Sequence, residues 1–473
     1  MRGGHFAMLS LRIGGREMTG SALAIDGGRN EVTGTYPTKW TRVRKGLRLS
    51  ADILKMLPWS IFGVTTITDG SGVIREFEAS FRRLTGSAFA LAMTNGTATL
   101  HSAYFALGVG PGSEVIVPSY TWHATATPIL LCGATPVFCD IDPRTLTADP
   151  VDIARRITRR TKAIVVVHVW GNPADMDHIM YIANQNNVPV VEDCSHAHGA
   201  VYNGKAVGTF GAVGCFSLNS GKAVDGGEAG VAVTDDPELF DRMLLLGHFG
   251  RIQNGQAAGT FDVGDMSLGT KYRPHSLAIH LANSSLKRLH QLNERCEKSW
   301  GWLCEEIEGL VGIRPQMTFL GAVRGGYMSF VFVYEGQELG GPSREEFVQA
   351  VRAEGAPLSV DRYSQVNYTY GLLHQAPIFN GFDPHALSEA RTALIRKLRS
   401  PSEALPVSER LAGQLISFPR FDQESEAYVR SCGRALRKVV SSLVPQDGFV
   451  PSTPAGTHKG FLQRPVLGGH ESA

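Results

Sequence analysis

Apolar positions along this chain recur with two different periods, and the change between them divides it into regions. Ile74, Phe77, Phe81 and Leu84 fall on one face of a helix predicted over 73–86, and Gly86 ends it. From there to about residue 245, apolar runs of strand length alternate with helical segments. The predicted strands are 89–93, 114–117, 135–139, 163–168, 188–192, 214–217 and 230–234. Such alternation with short loops implies an α/β fold whose mostly parallel sheet is covered by helices on both faces. Ligands of such sheets gather beyond the carboxyl ends of the strands, so the polar turns there are the places to look for chemistry.

Further on, Leu286, Leu289, Cys296, Trp300, Leu303, Ile307 and Leu310 recur about every 3.5 residues and predict one long helix leading into a second domain. Residues 313–445 mix a strand at 327–334 with helices at 344–354 and 424–443, an α+β pattern. The expected division is an arm over 1–45 lying on the surface, a large domain over 46–300 and a small C-terminal domain over 301–445. Residues 446–473, with three prolines and five glycines, read as a disordered tail.

Composition narrows the function classes. With 43% hydrophobic and 19% charged residues the chain of 473 residues reads as globular, and its net charge of +2 gives no field for nucleic acid or membrane. The apolar run near residues 6–11 is too short for a signal-peptide core, and no run reaches the length of a membrane span. Seven cysteines, odd in number and without a CxxC pair, fit a reducing cytoplasm and no structural metal.

Five stretches carry candidate chemistry. In Gly214-Cys-Phe-Ser-Leu-Asn-Ser-Gly-Lys222, a lysine stands among small residues with Ser217 five positions earlier. It is either a surface lysine or a Schiff-base lysine brought close to a flat cofactor. Met93-Thr-Asn-Gly96-Thr97 opens a helix at a strand end, as a phosphate cradle or an ordinary cap. Trp122 follows another strand, as a ring-stacking plate or as core filler. Glu192-Asp193-Cys-Ser-His196-Ala-His198 puts an acid at a strand's carboxyl end, and a buried carboxylate there calls for a cation. The two histidines lack a third ligand at zinc spacing. Gly269-Thr-Lys271-Tyr272-Arg273 is a basic cluster suited to an anion, a subunit contact or solvent. The order of these features matches the four handles of pyridoxal phosphate: phosphate, ring face, ring nitrogen and aldehyde.

The motifs "FEASF", "TNGTATL", "EVIVPSYTW", "GATPVFCDID", "VVEDCSHAHGA" and "GAVGCFSLNSGK" resemble those of the DegT/DnrJ/StrS aminotransferases, dependent on pyridoxal phosphate and acting on keto sugars and cyclitols. The resemblance runs from about residue 23 to about 419 and implies the type I aminotransferase fold. It implies that Lys222 forms the Schiff base and that Asp193 pairs with the pyridinium nitrogen. Gly96, Thr97 and Ser217 would hold the phosphate, Trp122 would cover the ring, and His196 would lie near the ring's oxygen, where glutamine is usual. The family is dimeric, so Lys271, Tyr272 and Arg273 are expected to act across subunits, with Lys271 replacing an asparagine and Asn95 standing where serine is commoner.

The activity expected is amino transfer from glutamate or glutamine to a keto sugar or keto cyclitol, by a cytoplasmic homodimer, in amino-sugar, aminocyclitol or antibiotic biosynthesis. Alternatives are chemistry like that of aminohydroxybenzoate synthases, other lyase chemistry, or a non-catalytic regulator. Arg251, Arg273, Arg362 and Arg420 are candidates for the clamp on the donor's carboxylate.

Overall fold

The computed structural model describes residues 23–24, 29–32, 51, 67–260, 268–364, 371–379, 404–444 and 461–462. The chain enters through helix α1 (Val73–Thr85), which a left-handed Gly86 terminates, into strand β1 (Phe89–Met93). There follow α2 (Gly96–Ala106), β2 (Glu114–Pro118), α3 (His123–Leu131), β3 (Thr135–Cys139) and α4 (Pro150–Arg156). Next come β4 (Thr161–Val167), α5 (Met176–Gln185), β5 (Val190–Asp193) and the short strands β6 (Val201–Tyr202) and β7 (Lys205–Ala206). Strands β8 (Val213–Ser217) and β9 (Gly230–Thr234) complete a seven-stranded sheet of order β1-β9-β8-β5-β4-β2-β3.

Only β9 runs against the others. Alternate residues of each strand feed separate cores, as the two-residue period of a strand requires. Ala92, Ile116, Ile164, Val166 and Phe216 pack on one face, beside Phe77 and Phe81 of α1. Leu91, Met93, Val115, Val165 and Cys215 pack on the other, beside Leu100 and Tyr104 of α2. Burial on both faces is why these strands read as unbroken apolar runs.

The chain then passes through α6 (Pro237–Gly247), α7 (Phe249–Gln253), α8 (Ser276–Leu286) and α9 (Leu289–Ile307). The single long helix expected here is two helices. Leu286 closes α8, and Leu289 opens α9 after a break at Lys287 and Arg288. The apolar period survives the break because α8 and the start of α9 bury their apolar sides in the large core, while Cys296, Leu303 and Ile307 enter the small one. The changeover between cores thus lies between Leu289 and Cys296, and residue 300 falls inside α9.

The small domain holds β10 (Ile313–Pro315), β13 (Ser329–Tyr334) and α10 (Arg344–Ala353); between β10 and β13, β11 (Thr318–Phe319) and β12 (Ala322–Val323) return to the large core, β12 pairing with β6. After these come β14 (Ser359–Val360), α11 (Pro406–Ala412), β15 (Leu415–Pro419) and α12 (Glu426–Leu443). Its antiparallel sheet has the order β10-β13-β15-β14.

Two expectations about the termini change. Within the arm expected on the surface, Leu23 and Val32 are buried in the small domain's core. The fully buried Glu354 carboxylate holds the arm there. It accepts from Ala24 N (2.7 Å) and Glu31 N (2.9 Å) and pairs with Lys438 Nζ (2.8 Å). Two isolated apolar anchors leave no period to read in the sequence. In the tail expected to be disordered, Phe461–Leu462 forms a strand, β16, parallel to β11; the rest of 446–473 lies outside the described residues. No helix among the described residues is long and apolar enough to cross a membrane.

Candidate active site

The carboxyl ends of β1, β2, β5 and β8 converge on a cavity of about 250 Å³. At the end of β1 the Asn95 side chain accepts from Ala98 N (2.8 Å) and caps α2. The amides of Gly96 and Thr97, at the mouth of the cavity, belong to the first turn, where a helix favours an anion. A Cβ on Gly96 would lie 2.6 Å from that of Ser217, so only glycine lets α2 start this close to the end of β8. Gly96, Thr97 and Ser217 are thereby brought together, as the sequence predicts. The result is a cradle of phosphate chemistry: helix amides, a hydroxyl and no side chain in the way.

The acid pair on β5 divides because successive residues of a strand face opposite ways. Asp193 lines the cavity, its oxygens accepting from Thr125 Oγ1 (2.8 Å) and Ser195 N (3.1 Å). Glu192 points beneath the sheet, where it accepts from Gly208 N and Gly211 N (2.7 Å each). His168 Nδ1 accepts from Ala174 N (3.0 Å), which leaves Nε2, 3.1 Å from Glu192, to donate to that carboxylate. Cys194 completes a group whose ligand atoms lie within 4.8 Å of one another. The imidazole and carboxylate atoms there are already engaged by N–H donors, so the cluster reads as a buried hydrogen-bond network rather than a metal centre.

Lys222 sits in a loop closed on itself. Ser220 N donates to Gly227 O, Gly226 N to Leu218 O, and Gly227 N to Asp225 Oδ1 (2.8–2.9 Å). Ser285 of α8 clamps the loop from behind, donating to Ala223 O (3.2 Å) and accepting from Asp225 N (3.0 Å). Burial lowers the Lys222 ammonium to about 8; nearby Arg362 and Arg420 push the same way, and Asp193 partly opposes them. Roughly a tenth of the amine is therefore neutral, and so nucleophilic, at about pH 7, far more than for an exposed lysine.

His196 and Trp122 also line the cavity. Trp170 N donates to His196 Nδ1 (3.2 Å), and His196 Nε2 lies 3.1 Å from Tyr363 Oη. Burial holds the His196 imidazole well below its usual range, with Lys222 adding to the effect, so it is neutral. His198 lies outside the cavity's lining, fully buried and pushed down to about 3 by burial and by Lys222.

Of the four candidate clamps, Arg362 lines the cavity, its guanidinium 5.0 Å from the centre of the Trp122 ring. Arg251 is instead buried against Glu78 (2.6 Å), beside β1. Lys271, Tyr272 and Arg273 are not brought to the cavity of their own chain. Tyr272 O accepts from Thr94 N (2.8 Å) and its Oη lies 2.7 Å from His101 Nδ1, which lays the segment along α2. Among the lining or supporting residues outside the sequence reading are Thr125, Trp170 and Tyr363. Thr125 follows Trp122 closely enough to be suspected, but Trp170 and Tyr363 sit in turns with no periodic signal.

A lysine of lowered basicity, a carboxylate at the next strand end and a phosphate cradle fit pyridoxal phosphate, so fold and site define an aminotransferase of the type dependent on that cofactor. Residues 51–396 match the DegT/DnrJ/EryC1/StrS aminotransferase family, and the chain belongs to that family. It is 34% identical over 409 residues to the L-glutamine:2-deoxy-scyllo-inosose aminotransferase of Streptomyces kanamyceticus, covering 84% of this chain and 92% of that one. It is also 34% identical over 342 residues to the L-glutamine:scyllo-inosose aminotransferase of Streptomyces griseus, covering 71% and 79%. Among solved structures it resembles 3-amino-5-hydroxybenzoic acid synthase, at 25% identity and a TM-score of 0.67, covering 83% of this chain and 96% of that one. It likewise resembles S. venezuelae DesV in complex with a ketimine intermediate, at 26% identity and a TM-score of 0.68, covering 87% and 99%.

Proposed function

We propose that this aminotransferase moves the amino group of L-glutamine to a keto cyclitol, forming an aminocyclitol of the kind antibiotic biosynthesis uses. The observation that carries the reading is the likeness, over most of both chains, to enzymes named for L-glutamine and inososes. Bound pyridoxal phosphate would supply an electron sink next to the donor's α-carbon. Gly96, Thr97 and Ser217 would hold its phosphate, Trp122 would cover its ring, and His196 would sit beside it. Asp193 would hold a proton at the ring nitrogen. Lys222 would tether the cofactor and serve as the base that moves the donor's α-proton. Arg362 receives the donor's carboxylate, a group that a guanidinium recognises in bidentate fashion. We place the reaction in a cytoplasmic homodimer in which Lys271, Tyr272 and Arg273 reach the neighbouring site.

The test is product analysis by mass spectrometry after incubation with scyllo-inosose and L-glutamine labelled with 15N at the α-amino group. A labelled aminocyclitol is expected. An unchanged cyclitol, together with an aromatic amine formed from an aminodehydroshikimate-type acid, would favour the synthase chemistry instead.

A further inference from the structure

A short turn of the small domain reaches into the cavity, and its hydrogen bonds have a direction. Asp361, Arg362 and Tyr363 follow β14, 167 residues or more from the strand-end residues they meet. The Asp361 carboxylate accepts from Tyr120 Oη (2.9 Å) and from Tyr363 N (3.0 Å). Tyr120 Oη in turn accepts from Trp170 Nε1 (2.9 Å), which ties the turn to the loops at the ends of β2 and β4. Trp170 has a left-handed backbone (φ 59°), uncommon for a bulky residue, and its ring stacks on Tyr363 at 4.7 Å and on His196 at 5.1 Å. Strain of this kind persists where surrounding structure over-determines it, often beside a site.

The direction follows from His196. Its Nδ1 accepts a backbone N–H from Trp170, so the neutral ring carries its proton on Nε2. Nε2 therefore donates to Tyr363 Oη, whose own hydroxyl proton is not used in that bond. Among the described residues that proton finds no acceptor, and Tyr363 lines the cavity together with Lys222. The phenol is a neutral donor in the cavity's lining, its ring held in a stack with Trp170 and His196. Burial holds it far above the usual phenol range, so it keeps its proton at any working pH.

We infer that Tyr363 is a further substrate-contacting residue, whose hydroxyl donates a hydrogen bond to an oxygen of the keto acceptor. The neighbouring Arg362 suits the anionic oxygens of the donor amino acid, whereas a neutral phenol suits the neutral oxygens of a ketone or polyol. One turn thus presents both substrates with the group each needs. The inference rests on the proposed amino transfer to a keto cyclitol.

The test separates the two half-reactions of the holoenzyme carrying Tyr363→Phe, which keeps the stacked ring and removes one oxygen. Stopped-flow absorbance follows the loss of the visible cofactor band with L-glutamine and its return with scyllo-inosose. The acceptor half-reaction should slow by about 10²-fold, as when a preorganised donor is lost, while the donor half-reaction stays within about 3-fold. Equal slowing of both, or of neither, would overturn the inference. So would a shifted pH titration of the cofactor band with the acceptor step intact, because the phenol would then serve the cofactor. Should the phenylalanine variant fold poorly, 3-fluorotyrosine at 363 keeps the shape with a more acidic hydroxyl. The more acidic donor should then change the acceptor rate alone; an acceptor rate unchanged from wild type counts against the contact. Wild-type enzyme that does not bleach with L-glutamine would refute the transfer reading itself, a result distinct from any of these.

Discussion

The cavity has a floor and a wall that were built differently. The floor is made of strand ends of one sheet. Gly96, Asp193 and Ser217 each lie at a carboxyl end of β1, β5 or β8, within five residues of a fully apolar run. The wall is the Asp361–Tyr363 turn with Trp170, held through contacts such as Tyr120 to Asp361 across 241 residues. The floor is rigid because the sheet is buried on both faces. The wall depends on where the small domain sits. The proposed function assigns cofactor chemistry to the floor and substrate choice to the wall, so changes in the two regions should separate in kinetics.

The largest effect should come from the floor. Lys222→Ala removes the amine proposed as both covalent link and proton-transfer group, and turnover should fall by more than about 10⁴-fold, measured as aminocyclitol formed. Gly96→Val drives a branched side chain into Ser217, whose Cβ lies 2.6 Å from the place of a Cβ there. Cofactor retention, read by dialysis and absorbance, should weaken roughly 10²-fold. On the wall, Arg362→Gln should raise the KM for L-glutamine about 10- to 100-fold, the worth of a charged hydrogen bond, with little change in the KM for scyllo-inosose. If cofactor retention fell as much with Arg362→Gln as with Gly96→Val, the separation of floor and wall would fail.

The last effect concerns His198, buried outside the cavity's lining. Burial keeps His198 neutral down to about 3 in the folded protein, whereas the unfolded chain takes up its proton near the ordinary histidine value of about 6.5. A folded value below the unfolded one means that stability is lost as pH falls from about 6.5 towards 3. The loss is at most about 1.4 kcal/mol per pH unit for this residue. His198→Phe should flatten the fall in Tm between pH 6 and 4.

The sequence was a good guide to the floor and a poor one to the wall, for physical reasons. A strand buried on both faces writes a contiguous apolar run, and its functional residue follows within a few positions, so Lys222, Asp193 and the Gly96–Thr97 turn could be located. Arg362 was one of four candidate arginines, and only the folded chain separates it from Arg251, which Glu78 neutralises. Tyr363 and Trp170 sit in turns whose partners are distant in sequence, and no local pattern encodes a contact closed by the tertiary fold. The arm is a similar case. Leu23 and Val32 are single anchors, and the Glu354 carboxylate that holds their segment lies more than 300 residues away. The break at Lys287 and Arg288 was hidden because both helices keep their apolar sides on one line.

The most direct measurement is the visible absorption spectrum of the purified protein with pyridoxal phosphate, before and after L-glutamine, with Lys222→Ala in parallel. Wild type should hold a visible band that bleaches with L-glutamine and returns with scyllo-inosose, and the variant should lack the lysine-linked band. A wild-type protein that gains no band on adding pyridoxal phosphate, or a variant indistinguishable from it, would contradict the role of Lys222 and the floor built around it.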